Sequence, residues 1–244
     1  MNKRMTSRNK ILRAHENLFI ALGDFADSSH CGELKYKAIE SCFSQDADVG
    51  TFECYLHCKN WKWDRASTKD GARLSIILKV QETVDLVSAR ISSSVVNVSY
   101  IAFRGEEFRK PVVLQSMHYD FDPNQDHALF HAQMCEYPVR IPMEADSIRQ
   151  DLGIDFDLPE KIEGHCHPEV RMPTSDMTIS SVLLCLAHDH FKAAVFQKFR
   201  EKLREIVIDM PRPDITKLKA SLDDEPETVR SWHWFVKGDA EKSS

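Results

Sequence analysis

Phe52-Glu53-Cys54-Tyr55-Leu56, Leu74-Ser75-Ile76-Ile77-Leu78, Val95-Val96-Asn97-Val98-Ser99-Tyr100-Ile101 and Pro111-Val112-Val113-Leu114 decide the fold class. Each run is β-branched or aromatic, and turn-like pieces such as Lys69-Asp70-Gly71 and Arg104-Gly105 separate several of them. Strands that follow one another with few helices between them imply a mostly antiparallel sheet, here from Thr51 to about Gln133. Within it, Gln81 to Ser94 reads equally as strand or helix.

On the N-terminal side, Ile11, Leu12, Leu18, Phe19, Leu22 and Phe25 recur at helical spacing behind the cap candidates Thr6 and Ser7, predicting an amphipathic helix over Ser7 to Ala26. Gly32 punctuates, and Leu34, Ala38, Ile39 and Phe43 predict a second, shorter helix. On the C-terminal side, Glu144 to Pro168 reads as a long irregular excursion, a kind of segment that is often functional. Thr174, Ser175 and Asp176 then offer N-caps for the longest helix, running to about Val207 with Ile179, Val182, Leu183, Leu186, Phe191, Phe199, Leu203 and Ile206 on its core face until Pro211 stops it. The expected fold is therefore α+β: a mostly antiparallel sheet packed against N-terminal helices and one long C-terminal helix. Residues 1–238 are expected to form a single domain and 239–244 a flexible tail.

With 244 residues, 42% of them hydrophobic and 29% charged, the chain can bury a core without staples and lies far from the composition of disorder. A net charge of −6 with interspersed basic residues gives no strong footprint for duplex nucleic acid. The basic Met1-Asn2-Lys3-Arg4-Met5 is not followed by the apolar core of a signal peptide, and no stretch is apolar for the length of a membrane span, so a cytoplasmic protein is expected. The seven cysteines are irregularly spaced and read as reduced thiols. Cys54-x-x-x-Cys58 with His165-Cys166-His167 is a weak zinc pattern. The sequence names no cofactor: it has no Walker loop, no dinucleotide-binding glycine pattern, no Gly-x-Ser-x-Gly elbow and no kinase signature.

Seven of the eleven histidines fall between His118 and His190. In a strand through Met117 to Asp122, period two puts His118, Asp120 and Asp122 on one face. A following strand aligns Leu129, His131 and Gln133, and a hairpin across Pro123-Asn124-Gln125-Asp126 would bring His118, Asp120, His131 and Gln133 into mutual reach. Imidazole and carboxylate together suit a divalent metal with an open position, or a general base oriented by a carboxylate. The competing reading is a hydrogen-bonded polar sheet face without chemistry. Arg171, ahead of the long helix, reads either as a phosphate or carboxylate holder or as a partner of Asp120 or Asp122. His190 could point into the sheet and join the cluster, with His188 exposed. Trp232 and Trp234, two apart in Trp232-His233-Trp234-Phe235-Val236, share one strand face, for burial or for stacking on a base or a partner.

Asp126-His127-Ala128-Leu129-Phe130-His131-Ala132-Gln133, then Val170-Arg171-Met172-Pro173-Thr174, then a helix through Asp189-His190-Phe191 resembles the signature of a prokaryotic family known only as a domain of unknown function. Its pattern is an acidic strand, a His-Pro-x-x-His-x-Gln-like strand and an Arg-x-Pro-Thr segment before a helix. Ala128 replaces the family's proline, the interval Cys135 to Glu169 is long, and Arg140-Ile141-Pro142 competes with Arg171 for the second motif. The resemblance implies a bacterial or archaeal cytosolic protein, associated with mobile or defence gene neighbourhoods, and supplies no activity. Two functions follow as expectations. One is a hydrolase or nuclease built on His118, Asp120, His131 and Arg171, with Gln133, Asp122 and His127 as binding residues. The other is a non-catalytic binding or adaptor protein of a two-gene, toxin–antitoxin or defence-type, module, recognising its partner through the acidic excursion and Trp232 and Trp234.

Overall fold

The computed structural model describes residues 3–39, 48–62, 73–104, 110–121, 130–141, 146–159, 162, 171–173 and 178–214. Helix α1 spans Lys3–Ser28 and buries Ile11, Ala14, Leu18, Phe19, Leu22 and Ala26 at three- and four-residue steps. It closes with a Schellman motif: Cys31 N–H reaches Ala26 O at 2.9 Å and His30 N–H reaches Asp27 O at 2.9 Å, with His30 left-handed at φ 52. Gly32 follows where a Cβ would stand 2.6 Å from Lys59 O and from the Trp61 ring, so only glycine lets the chain turn this tightly against its neighbour.

That close approach delivers β1, Glu33–Ile39, as a strand and not the second helix expected from Leu34, Ala38, Ile39 and Phe43. Leu34 and Tyr36 alternate with Glu33, Lys35 and Lys37, a period-two pattern that pairing with the next strand rewards. Phe43 lies outside the described residues. The chain continues through β2 (Val49–Lys62), β3 (Arg73–Asp85), β4 (Arg90–Arg104), β5 (Lys110–Phe121), β6 (Phe130–Met134) and β7 (Arg171–Pro173), which pair antiparallel in chain order. The ambiguous Gln81 to Ser94 resolves as the end of β3, a turn and the start of β4: Asp85 Oδ1 accepts from Val87 N at 2.7 Å and Ser88 N at 2.9 Å, and Ala89 is left-handed at φ 56. A short β8, Arg212–Pro213, adds to β4 in parallel.

The expected single C-terminal helix is two. Helix α3, Ile179–His190, and α4, Ala193–Ile206, are separated by Phe191 and Lys192 in extended conformation. The break turns Phe191 into the core, 5.6 Å from the Trp61 ring and 5.8 Å from that of Phe199. The first described cap is Thr178, beyond the Thr174 to Asp176 group, which lies outside the described residues apart from sequence.

The sheet is covered on both faces. On one, α1, α3 and α4 pack over Phe52, Cys54, Leu56, Cys58, Ile76, Leu78, Val80, Val96 and Val98. A buried pair fastens α1 there: His15 Nε2 lies 2.9 Å from Glu82 Oε2, Ser94 donates to the other carboxylate oxygen at 3.3 Å, and both members of the pair are at most 1% exposed. On the opposite face, Tyr55, Ile77, Ile101 and Val113 meet Val139, Ile148, Leu152, Ile154 and Ile162. The segment expected to be irregular thus contains helix α2, Asp146–Leu152, and forms a packed layer. His57 Nδ1 donates to Leu152 O at 2.9 Å, and Ser99 Oγ accepts from Val139 N at 2.7 Å. None of the described helices is long and apolar enough to cross a membrane.

Candidate functional site

Register assembles the polar residues. Asp120 of β5 pairs with His131 of β6, which pairs with Pro173 of β7; one step along, His118 pairs with Gln133 and Gln133 with Arg171. Directly paired residues of antiparallel strands present their side chains on the same face, with Cβ atoms about 5 Å apart. His118, Asp120, His131, Gln133 and Arg171 therefore occupy two adjacent rows on the face that carries the Val139 to Ile162 layer. For His131 and Arg171 the structure describes the backbone. Asp122, His127, Trp232 and Trp234 lie outside the described residues, as does the Pro123 to Asp126 turn.

The second row extends further than the motif implies. Through successive pairings it reads Lys37, Tyr55, Lys79, Asn97, His118, Gln133, Arg171, one residue from each of β1 to β7. Its basic members stand on alternate strands. Lys37 Nζ is 2.7 Å from Asp151, and Lys79 Nζ is 3.6 Å from Glu53 Oε1, which also accepts from the Tyr55 hydroxyl at 3.0 Å. Burial and that hydrogen bond push the Tyr55 phenol upward. Polar side chains within apolar runs, Lys79 in β3 and Asn97 in β4, were the available signal for this extension. Sequence reasoning also missed Cys135, whose sulfur lies beside His118.

His118 is the electrostatic centre. Its Nε2 is 3.6 Å from Asp120 Oδ2, with the two side chains 28% and 9% exposed. This is long for a hydrogen bond and within the roughly 4 Å reach of an ion pair. The Asp120 carboxylate first, and Cys135 second, push the imidazole up to about 9, against the opposing effect of burial. At neutral pH, His118 is an imidazolium beside a carboxylate. It can give a proton or hold an anion, and must lose a proton before it could act as base or metal ligand.

His190 reaches the sheet from the opposite side and does not join this cluster. Its Nδ1 donates to Lys62 O at 2.9 Å, and its ring lies 5.5 Å from that of Trp61; burial lowers its basicity. His188 is exposed, as expected. The zinc pattern fails locally: Cys54 and Cys58 are four residues apart on one strand, about 13 Å at 3.3 Å per residue, too far to share an ion. Both are fully buried, and burial raises both thiols well above their ordinary value. His165, Cys166 and His167 lie outside the described residues. Among the described residues no three His, Cys, Asp or Glu side chains form a metal-ligand group. No family model matches the chain, and neither a curated protein nor a solved structure matches it significantly.

Proposed function

We propose that the chain is a hydrolase of phosphate esters, a nuclease in its more specific form, working through His118, Asp120, His131 and Arg171. The observation that carries this reading is the register that sets Asp120 opposite His131 and Gln133 between His118 and Arg171. In this reading, imidazolium His118 protonates the leaving oxygen, and His131, oriented by Asp120, takes the proton from the attacking water or hydroxyl. Arg171 and Gln133 hold the phosphoryl oxygens, a task suited to the planar guanidinium fork. The test is hydrolysis of bis(p-nitrophenyl) phosphate and of single-stranded RNA and DNA, each with and without added divalent cations. Activity should fall at least about a hundredfold in His118→Gln and His131→Ala, and Arg171→Lys should mainly raise KM. Turnover equal in wild type and His118→Gln would remove the proposal.

A second reading is the non-catalytic adaptor of a two-gene module. What favours it is that Asp120 is 8% exposed and that His118 finds its neighbours, Asp120 and Cys135, within the chain, as in a structural polar network. Under this reading the His118 and His131 variants lose stability and no activity is ever found.

A further inference from the structure

We infer that Cys135, with His118 beside it, is a redox-modification site: a thiol that reduces a hydroperoxide and is itself oxidised to the sulfenic acid. Hydrolysis of a phosphate ester is not needed for this chemistry, so the two activities stand or fall separately.

Register places the sulfur. Cys135 N–H donates to Ser116 O at 2.9 Å directly after the Met117 to Met134 pairing, so residue 135 prolongs the antiparallel ladder opposite Ser116. Ser116 and His118 then share one face with Gln133 and Cys135, and His118 and Cys135 are diagonal neighbours, a separation that a long or aromatic side chain spans. The thiol accordingly hydrogen-bonds the His118 side chain, whose other neighbour is the Asp120 carboxylate at 3.6 Å. The sulfur also lies 3.9 Å from Gln133 O. Thiol, imidazole and carboxylate thus follow one another along a single face, the order in which a nucleophile, its proton partner and an orienting acid are arranged.

Four other cysteines are described, and each lacks a requirement that Cys135 meets. Cys31, Cys54 and Cys58 are buried in the apolar core, closed to a reagent. Cys185 is exposed, but burial of part of its surface and then the acid Asp189 push its thiol up, away from the nucleophilic form. Cys135 is partly exposed and faces a cation: Asp120 first, with the Cys135 contact second, keeps His118 an imidazolium at neutral pH. A cation beside a cysteine favours the thiolate, the form that attacks.

The oxidation balances on these two side chains and the peroxide. The Cys135 thiolate attacks the terminal oxygen of R–O–O–H, and the S–O bond forms as the O–O bond breaks. The O–O electron pair leaves on the alkoxide oxygen, which takes the proton of imidazolium His118. The products are Cys135–S–OH, R–OH and a neutral imidazole that solvent reprotonates. Sulfur has given up an electron pair and the peroxide has taken it.

The experiment treats the full, reduced chain with hydrogen peroxide at pH 7 in the presence of dimedone, which traps sulfenic acids, and follows the adduct at each cysteine by peptide mass spectrometry. Cys135 should be trapped at least about tenfold faster than Cys185, although accessibility alone predicts the opposite order. In concentrated urea the ratio should fall to about one, because the advantage belongs to the folded pair. His118→Gln should slow trapping at Cys135 by about tenfold and leave Cys185 unchanged. The wild-type comparison does not depend on that variant folding. Trapping at Cys135 no faster than at Cys185 in the native chain, a ratio that survives urea, or a folded His118→Gln with an unchanged Cys135 rate would each overturn the assignment.

Discussion

Replacing Asp120 with Asn separates the charge of the candidate site from its shape. At the 3.6 Å between His118 Nε2 and Asp120 Oδ2, an effective dielectric of about 20 gives an attraction on the order of 4–5 kcal/mol. Burial of the imidazole returns part of this. The net, an imidazole raised from 6.5 to about 9, corresponds to about 3 kcal/mol as an upper bound, because the ring remains partly open to screening. The sign follows from linkage: a group held above its unfolded value contributes stability that is complete below pH 6.5 and is lost as the pH rises to about 9. Asp120→Asn should bring the His118 midpoint back by one to two units or so, read from its Cε1 proton by NMR titration. The variant should also lose much of the decline in unfolding free energy that the wild type shows across that window in urea denaturation, the remainder coming from Cys135. A wild-type His118 that titrates near 6.5, or one that Asp120→Asn leaves unmoved, would refute the electrostatic account of the site.

His57 behaves in the opposite sense. Burial lowers it, so folding is weakened as the pH falls below its unfolded value, and His57→Gln should cost about 2 kcal/mol in urea by loosening the hold on Leu152 O and Ser75. Gly32→Ala should cost about 2 kcal/mol or more, since its Cβ meets backbone that cannot retreat, and a thermal melt indistinguishable from wild type would contradict the packing described. Thiol labelling of the native protein should modify exposed Cys185 while Cys54 and Cys58 react only after unfolding, read by mass spectrometry.

The sheet could be read because alternation and β-branching act strand by strand and need no knowledge of the partner. Strand β1 was misread because Leu34 and Ala38 are four apart, a spacing that keeps residues on one side of a helix and also on one side of a strand. The intervening Lys35-Tyr36-Lys37 held the distinguishing alternation. The interruption after His190 carries no Pro or Gly, and it arises from the gain in burying Phe191, a tertiary preference invisible to local propensity. The neighbourhood of His118 and Asp120 with His131 and Gln133 was legible because parity and a short connection define a hairpin. Its continuation to Lys79, Tyr55 and Lys37 depends on register summed over several pairings, each open to a one-residue slip that a lone sequence does not fix.

Because β1 to β6 pair in chain order, that part of the sheet can zip strand by strand as synthesis proceeds, before β7 joins across the long interval that holds α2 and β8 adds to β4. The roof over its helical side has no such economy. α1 is made first, whereas α3 and α4, which pack against it, emerge after every strand of the meander. Until they arrive, the oily surface under Leu56, Ile76 and Leu78 lacks its cover, so a ribosome stalled near residue 178 would present a nearly finished but adhesive sheet. Helices α3 and α4 therefore set when that apolar face of the nascent sheet is closed from water.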